Sequence, residues 1–322
     1  MTSRRWGRLS KSTASIAAVL ALGIGLAACG SSSSSSSTAS TSSSAAGASP
    51  GAGRPAVTLG DKNFAEENIL GALYAQALQA KGFTVTVKDN VGSTEIIYKA
   101  LQAGQVDLYP EYTGVLLSAV AEQKTNPTSA TTAAEEAKAF LEKHGATLLN
   151  TTPFYDSDAL ATLPAYATKN KLSSIADLKA LGKGVKLGAA PEFATRQEGL
   201  LGLKQEYGFD PTFKPIAIEL SYKALETSQV DVQDVFTTDA QLLGGKFKVL
   251  EDPKHVFGFQ NVAPVVKQTV LTAEGPAFAE TLNKVSALLT IPAIQQMNKA
   301  VSIGKQPAAS VAKQFLAANG LG

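Results

Sequence analysis

The chain repeats part of itself. Residues 98–107 read YKALQAGQVD and residues 222–231 read YKALETSQVD, an offset of 124 residues. In both copies an aromatic side chain follows the Asp at the same spacing, Tyr112 in the first and Phe236 in the second. Fainter echoes lie around them. Gly208-Phe209 matches Gly82-Phe83 at an offset of 126, and Leu187-Gly188 in GVKLG matches Leu59-Gly60 at 128. A duplicated unit of this kind predicts two similar lobes. Two lobes that each present an aromatic residue suggest a ligand held between them.

Hydrophobic spacing supplies the class of lobe. Ala56 to Gly60 reads as a buried strand. Glu66 to Ala80 carries Ile69, Leu70, Leu73, Ala77 and Leu78 at helical spacing. Glu66 and Glu67 suit the positive end of that helix, and Lys81-Gly82 suits its end. Phe83 to Val87 is a strand, Glu95 to Ala103 a helix, and Val106 to Tyr109 a strand. This alternation predicts a parallel α/β sheet. The second half runs likewise: strand 184–188, helix 196–207, strand 212–216, helix 220–227 and strand 230–235. Strands near 159–162 and 262–266 are expected to cross between lobes, and two or three helices close the chain.

Ligands in such sheets bind beyond the carboxyl ends of the strands. Lys62, after the first strand, and Tyr112, after the third, are placed to face one crevice. Arg196 stands at the expected start of a helix, where a cation opposes the helix dipole and a bound anion would explain it. It faces the same side as Phe236. The plainer alternatives are a solvated charge for Lys62 and Arg196 and a half-buried core aromatic for Tyr112.

The N-terminus reads as an export signal. Residues 1–28 have a basic start, with Arg4, Arg5, Arg8 and Lys11, then an apolar run from Ile16 to Ala28. The run ends in Leu26-Ala27-Ala28-Cys29-Gly30, which resembles the bacterial lipobox, so Cys29 is expected to carry lipid. Residues 29–56 are rich in Ser, Thr, Ala, Gly and Pro and are expected to form a disordered tether. Its mean reach is about 30 Å. Lobe one is expected over 57–160 and 263–322, and lobe two over 161–262. The protein is placed at the cell membrane, lipid-anchored on the extracytoplasmic face.

Composition removes several function classes. Of 29 basic residues four lie in the signal segment, which leaves 25 against 27 acidic residues, no footprint for nucleic acid. One Cys and two His, His144 and His255, leave no Cys-based zinc site and little material for a His-dependent triad. Gly182, Gly184 and Gly188 miss the G-x-G-x-x-G spacing and precede or end a strand, so no dinucleotide loop is expected. There is no G-x-S-x-G and no H-E-x-x-H, which argues against a secreted hydrolase. Asp107 with Glu111 is a possible carboxylate pair, but Asp107 recurs as Asp231 within the repeat, which favours a structural role. No cofactor or metal is expected, and a monomer is.

At DKNFAEENILG, LQAGQVDLYPEYTG, TRQEGLLGL, QVDVQDVFTTD and FQNVAPVV the chain resembles the substrate-binding proteins of osmoprotectant ABC importers, the glycine betaine, carnitine and choline family. The resemblance covers about residues 57–320. It implies a two-lobed type II periplasmic-binding fold with two hinge crossings, a small-molecule ligand, an ABC permease as partner and no enzymatic activity. It implies that Lys62 and Arg196 help hold a ligand carboxylate. It also implies an aromatic box for a quaternary ammonium, because a cation over several ring faces is attracted to each. Tyr112 matches one wall. The chain departs from the pattern elsewhere, with Asp158, Phe236 and Gln260 at positions where the family places Tyr, and Val115 where it places Thr. Asp158 would then pair with a ligand cation, and Gln260 would hydrogen-bond a polar ligand. A ligand with hydroxyl or N–H groups suits such a pocket better than a bare trimethylammonium. A polar or aromatic non-betaine cargo is the alternative.

Overall fold

The computed structural model describes residues 49–322. The signal segment, Cys29 and the serine tract lie outside the described residues. Residues 49–56, expected as the end of a disordered tether, are ordered. Gly51 is buried, and its N–H donates to the Lys81 carbonyl at 2.9 Å. A Cβ on Gly51 would lie 2.2 Å from the Phe83 nitrogen, so only glycine permits this approach.

The first lobe begins β1 (Val57–Gly60), α1 (Ala65–Ala80), β2 (Val85–Lys88), α2 (Thr94–Gln102) and β3 (Leu108–Tyr112). The apolar stripe predicted on α1 is its buried face: Ile69, Leu70, Leu73 and Leu78 are fully buried. A short turn α3 (Thr113–Val115) and a wider turn over 116–120 lead to α4 (Ala130–Glu142) and β4 (Ala146–Leu148). Helix α4 starts three residues earlier than its apolar pattern, because the Ser129 hydroxyl caps it by accepting from the Thr132 N–H at 3.1 Å.

The second lobe holds β5 (Asp158–Thr162), α5 (Pro164–Asn170), β6 (Lys186–Ala189), α6 (Leu200–Tyr207), β7 (Thr212–Pro215), α7 (Ser221–Glu226), β8 (Val232–Phe236) and β9 (Lys248–Val249). The chain then returns to lobe one as β10 (Val262–Lys267). It finishes in α8 (Gln268–Glu274), α9 (Pro276–Leu288), α10 (Ile291–Asn298) and α11 (Ala308–Ala318). Phe278 and Leu282 of α9 and Leu316 of α11 bury against the core that α1 contributes to.

The two sheets share one plan. Their strand orders are β2-β1-β3-β10-β4 and β7-β6-β8-β5-β9. In each, three parallel strands meet one antiparallel strand, and that strand is supplied by the crossing chain. The repeated Asp does the same work twice. The Asp107 carboxylate accepts from the Thr58 N–H at 2.9 Å, and the Asp231 carboxylate from the Lys186 N–H at 2.8 Å. Each clips the start of a central strand to its neighbour, which is the structural role expected of them.

One boundary moves. Strand β5 lies wholly in the second sheet, so residues 159–162 are not the crossing. The crossing is residues 149–157, which run beside the return segment. Thr152 donates to Val262 at 2.8 Å and Asp156 to Gln260 at 3.1 Å through backbone N–H groups, and Tyr155 bridges Asn261. Two adjacent strands of chain thus form the hinge.

Candidate ligand-binding cleft

The cleft opens where the strands of both sheets end. Strand β3 runs through Pro110 and Glu111 to Tyr112, further than its apolar run suggested. Pro110 sits opposite Pro264 of β10, so neither ring is asked for an N–H at that register. This lengthening carries Tyr112 to the cleft from lobe one. Its counterpart Phe236 closes β8 and reaches the cleft from lobe two. The space between is lined from both lobes, with Lys62 and Tyr112 on one side and Asp158, Arg196 and Phe236 on the other.

A third ring adds to the aromatic wall, and Phe193 also lines the cleft. Phe64 stacks on Phe236 with centroids 5.8 Å apart and planes 11° from parallel, and lies 6.1 Å from Tyr112. The loop after β1 therefore supplies three cleft residues, Lys62, Asn63 and Phe64. Spacing from Lys62 was the available signal for Phe64.

Lys62 lines the cleft but is buried and already partnered. Its ammonium donates to Glu111 at 2.5 Å and to Thr94 at 3.2 Å, lies 3.7 Å from Glu67, and stands 4.4 Å from the centre of the Tyr112 ring. Burial still pushes the Glu67 carboxyl up to about 8, although Lys62 opposes that.

Arg196 reaches the cleft by a different local structure from the one its surroundings predicted. Helix α6 begins at Leu200, and Arg196 follows a 3-10 turn over Pro191–Thr195. Pro191 opens that turn, and the extended backbone of Arg196 separates it from the helix. Its guanidinium faces across the cleft to Glu95 of α2, in two parallel bonds of 3.0 Å each. Burial raises the Glu95 carboxyl, but the Arg196 pair outweighs it and holds the group down at about 2.

Asp158 opens β5 directly opposite Phe236. Asp234 lies two residues before Phe236, hence on the same face of the sheet, and it also lines the cleft. That alternation was the missed signal for Asp234. Burial pushes Asp158 up to about 6, against Arg196 and a hydrogen bond with Asp234 that lower it, while burial and then the neighbouring Asp158 push Asp234 well above the carboxylate range. Asp156 and Glu192 add further carboxylates to the lining.

Gln260 is not brought to the cleft lining. It is fully buried behind Gly114, where its Oε1 accepts from the Val115 N–H at 3.0 Å and its Nε2 donates to the Phe257 carbonyl at 3.1 Å. The turn after β3 needs that cap, so the expected polar contact with a ligand is replaced by a backbone one.

Below the rings the lobes are joined by Glu66. Its carboxylate accepts from the Tyr112 hydroxyl at 2.8 Å, the Thr238 hydroxyl at 2.6 Å and the Asn298 amide at 2.7 Å. Those donors come from lobe one, lobe two and α10. Ser118 donates to Glu198 in a further inter-lobe bond of 2.6 Å. Among the described residues no cluster of His, Cys, Asp and Glu is arranged to hold a metal ion.

A cleft between two α/β lobes, joined by a two-strand hinge and walled by rings and charges, defines a solute-binding protein. The chain belongs to the family described as the substrate binding domain of ABC-type glycine betaine transport system, which it matches over residues 55–318. It is 33% identical over 270 residues to a glycine-betaine-binding protein of Pseudomonas aeruginosa, covering 80% of this chain and 86% of that one. It is 29% identical over 277 residues to the glycine betaine-binding protein YehZ of Escherichia coli, covering 82% and 90%. The crystal structure of a glycine betaine/carnitine/choline ABC transporter protein superposes with a TM-score of 0.65 at 25% identity, covering 82% of this chain and 99% of that one. The fold is the type II periplasmic-binding fold. The protein is an extracytoplasmic substrate-binding protein of an ABC importer and not an enzyme. Among the described residues no helix is long and apolar enough to cross a membrane.

Proposed function

We propose that the cleft binds a small osmoprotectant-like ligand of the betaine or choline class and that the lobes close over it for delivery to the permease. The observation that carries this reading is the wall of three rings, Phe64, Tyr112 and Phe236, gathered at the mouth of both sheets. Ring faces attract an alkylammonium by about 0.5–2 kcal/mol each. Lys62, Asp158 and Arg196 line the same space and are the charged members of the proposed site, while Gln260 supports it from behind. Lipid on Cys29 would tether the protein as a monomer near its permease, a reading that rests on the sequence of the signal segment.

Calorimetry on the full chain against glycine betaine, proline betaine, choline, carnitine and ectoine tests the ligand class. Saturable heat is expected for at least one, and flat heats for all five would sink it. Globomycin-sensitive processing of the exported chain, abolished in Cys29→Ala, tests the anchor. A polar non-betaine cargo is the second reading. Asp158, where by resemblance a cation box would place a Tyr, and Asp234 on the same sheet face favour it.

A further inference from the structure

Acidic side chains outnumber basic ones on the cleft. Its lining holds four carboxylates, Asp156, Asp158, Glu192 and Asp234, against two cations, Lys62 and Arg196. Both cations are engaged by carboxylates of the protein that are not among those four. Lys62 is held by Glu111 and Glu67, and Arg196 by Glu95. Among the described residues Asp156, Asp158 and Asp234 make no ion pair.

Asp234 makes the imbalance specific. The residue is 6% exposed, it lines the cleft, and its Oδ1 is buried without a hydrogen-bond partner. A buried acceptor without a donor costs about 1–3 kcal/mol. Asp158 stands on the same sheet face and likewise has no cation within ion-pair distance among the described residues. An incoming group that brings a donor and a positive charge relieves both. An incoming carboxylate meets the opposite situation, because it must displace Glu95 from Arg196 or Glu111 from Lys62 and bring its own charge beside Asp158 and Asp234.

We propose that the ligand of this cleft is a small organic cation that lacks a carboxylate and carries at least one N–H or O–H donor, which Asp158 and Asp234 accept while the rings cover its apolar face. The inference rests on the reading that this cleft is the binding site, and it narrows the ligand from the betaine-or-choline class to its cationic, carboxylate-free members. Asp158 and Asp234 are then the specificity-determining pair.

Choline and glycine betaine form the deciding comparison, since both carry a trimethylammonium and differ in a hydroxymethyl against a carboxylate. Calorimetry on the full chain should give choline, or the amines ethanolamine and agmatine, at least about tenfold tighter binding than glycine betaine, a difference of about 1.4 kcal/mol. Asp234→Asn and Asp158→Asn should each weaken the cation by at least about tenfold, the loss typical of removing a buried charged partner. Glu95→Gln should act in the other direction and tighten glycine betaine, because it releases Arg196. A gain of affinity cannot arise from misfolding. Glycine betaine binding as tightly as all three cations would overturn the inference and leave the osmoprotectant reading intact. Unchanged cation affinity in both Asp variants would also overturn it. Absence of binding by every compound would overturn the inference and the osmoprotectant reading together.

Discussion

Arg196 and Glu95 grip each other across the cleft from opposite lobes, guanidinium to carboxylate, through two bonds of 3.0 Å. A bidentate pair of this kind is among the stronger ion pairs, yet its side chains stay 15% and 30% exposed, so water screens it. We expect it to bias the lobes toward closure by about 1 kcal/mol. The sign with pH follows from Glu95. Its carboxyl lies at about 2 in the fold against an ordinary 4.5, so its contribution is present above 4.5 and is lost as pH falls through about 2. Solution scattering should show Glu95→Gln more open than the parent at pH 7. Identical profiles at that pH would remove the latch from the account.

Tyr112 is tied to Glu66 as well as to the cleft, and the two roles separate in one substitution. Tyr112→Phe keeps the ring and removes the hydroxyl that donates to Glu66 at 2.8 Å. Glu66 is buried, and burial already pushes its carboxyl up against the three donors that lower it. Losing one donor should destabilise the protein by about 1–2 kcal/mol in chemical denaturation, while ligand affinity changes little. The loss should grow as pH rises, since a raised carboxyl contributes stability below its unfolded value and forfeits it above the folded one. A variant as stable as the parent at pH 8 would show that the Glu66 junction does not bear on stability.

Much of this architecture was legible from the sequence, and the places where it was not share a cause. The repeat at Tyr98 and Tyr222 revealed two lobes because helix and strand periods are local properties. The aromatic ends, Tyr112 and Phe236, followed from the same repeat. What escaped was pairing. Lys62 and Arg196 read as free cations because Glu111, Glu67 and Glu95 lie far from them in sequence or on another element. Arg196 was also assigned to a helix start, since nothing local distinguishes the 3-10 turn at Pro191 from the first turn of α6. Strand β5 was taken for a crossing because a strand's sheet membership depends on partners, and here β8 and β9 capture it.

Glu198 is a case of stability held hostage to burial. It is 2% exposed, it hydrogen-bonds Ser118 across the lobes, and burial pushes its carboxyl up to about 8. An acid raised in this way stabilises the fold below about 4.5 and withdraws that stability as pH climbs toward 8. Glu198→Gln keeps a polar group for Ser118 and removes the titration. It should raise the melting temperature at pH 8.5, with a gain of at least about 1 kcal/mol. It should also flatten the stability profile between pH 5 and 8, an interval set by the shift. Glu67, also raised to about 8, leaves a residual slope. A steeper profile in the variant would contradict the assignment.

Gln260 tests whether the missing wall of the aromatic box can be rebuilt. By resemblance a Tyr belongs at this position, so Gln260→Tyr is the obvious repair. The packing argues that it fails. A Cβ built on Gly114 would already lie 2.6 Å from the Gln260 amide nitrogen, which shows how closely the side chain is pressed against the turn after β3. A phenol there has no room without moving Thr113–Val115, and it cannot both accept from the Val115 N–H and donate to the Phe257 carbonyl at the distances the amide spans. Overpacking costs about 1–3 kcal/mol, and an uncapped buried N–H adds a similar amount. Gln260→Tyr should therefore lose stability by about 2 kcal/mol or more in urea denaturation without tightening glycine betaine. A Tyr variant that is stable and binds glycine betaine more tightly would show that the turn yields and that this position belongs to the cleft after all.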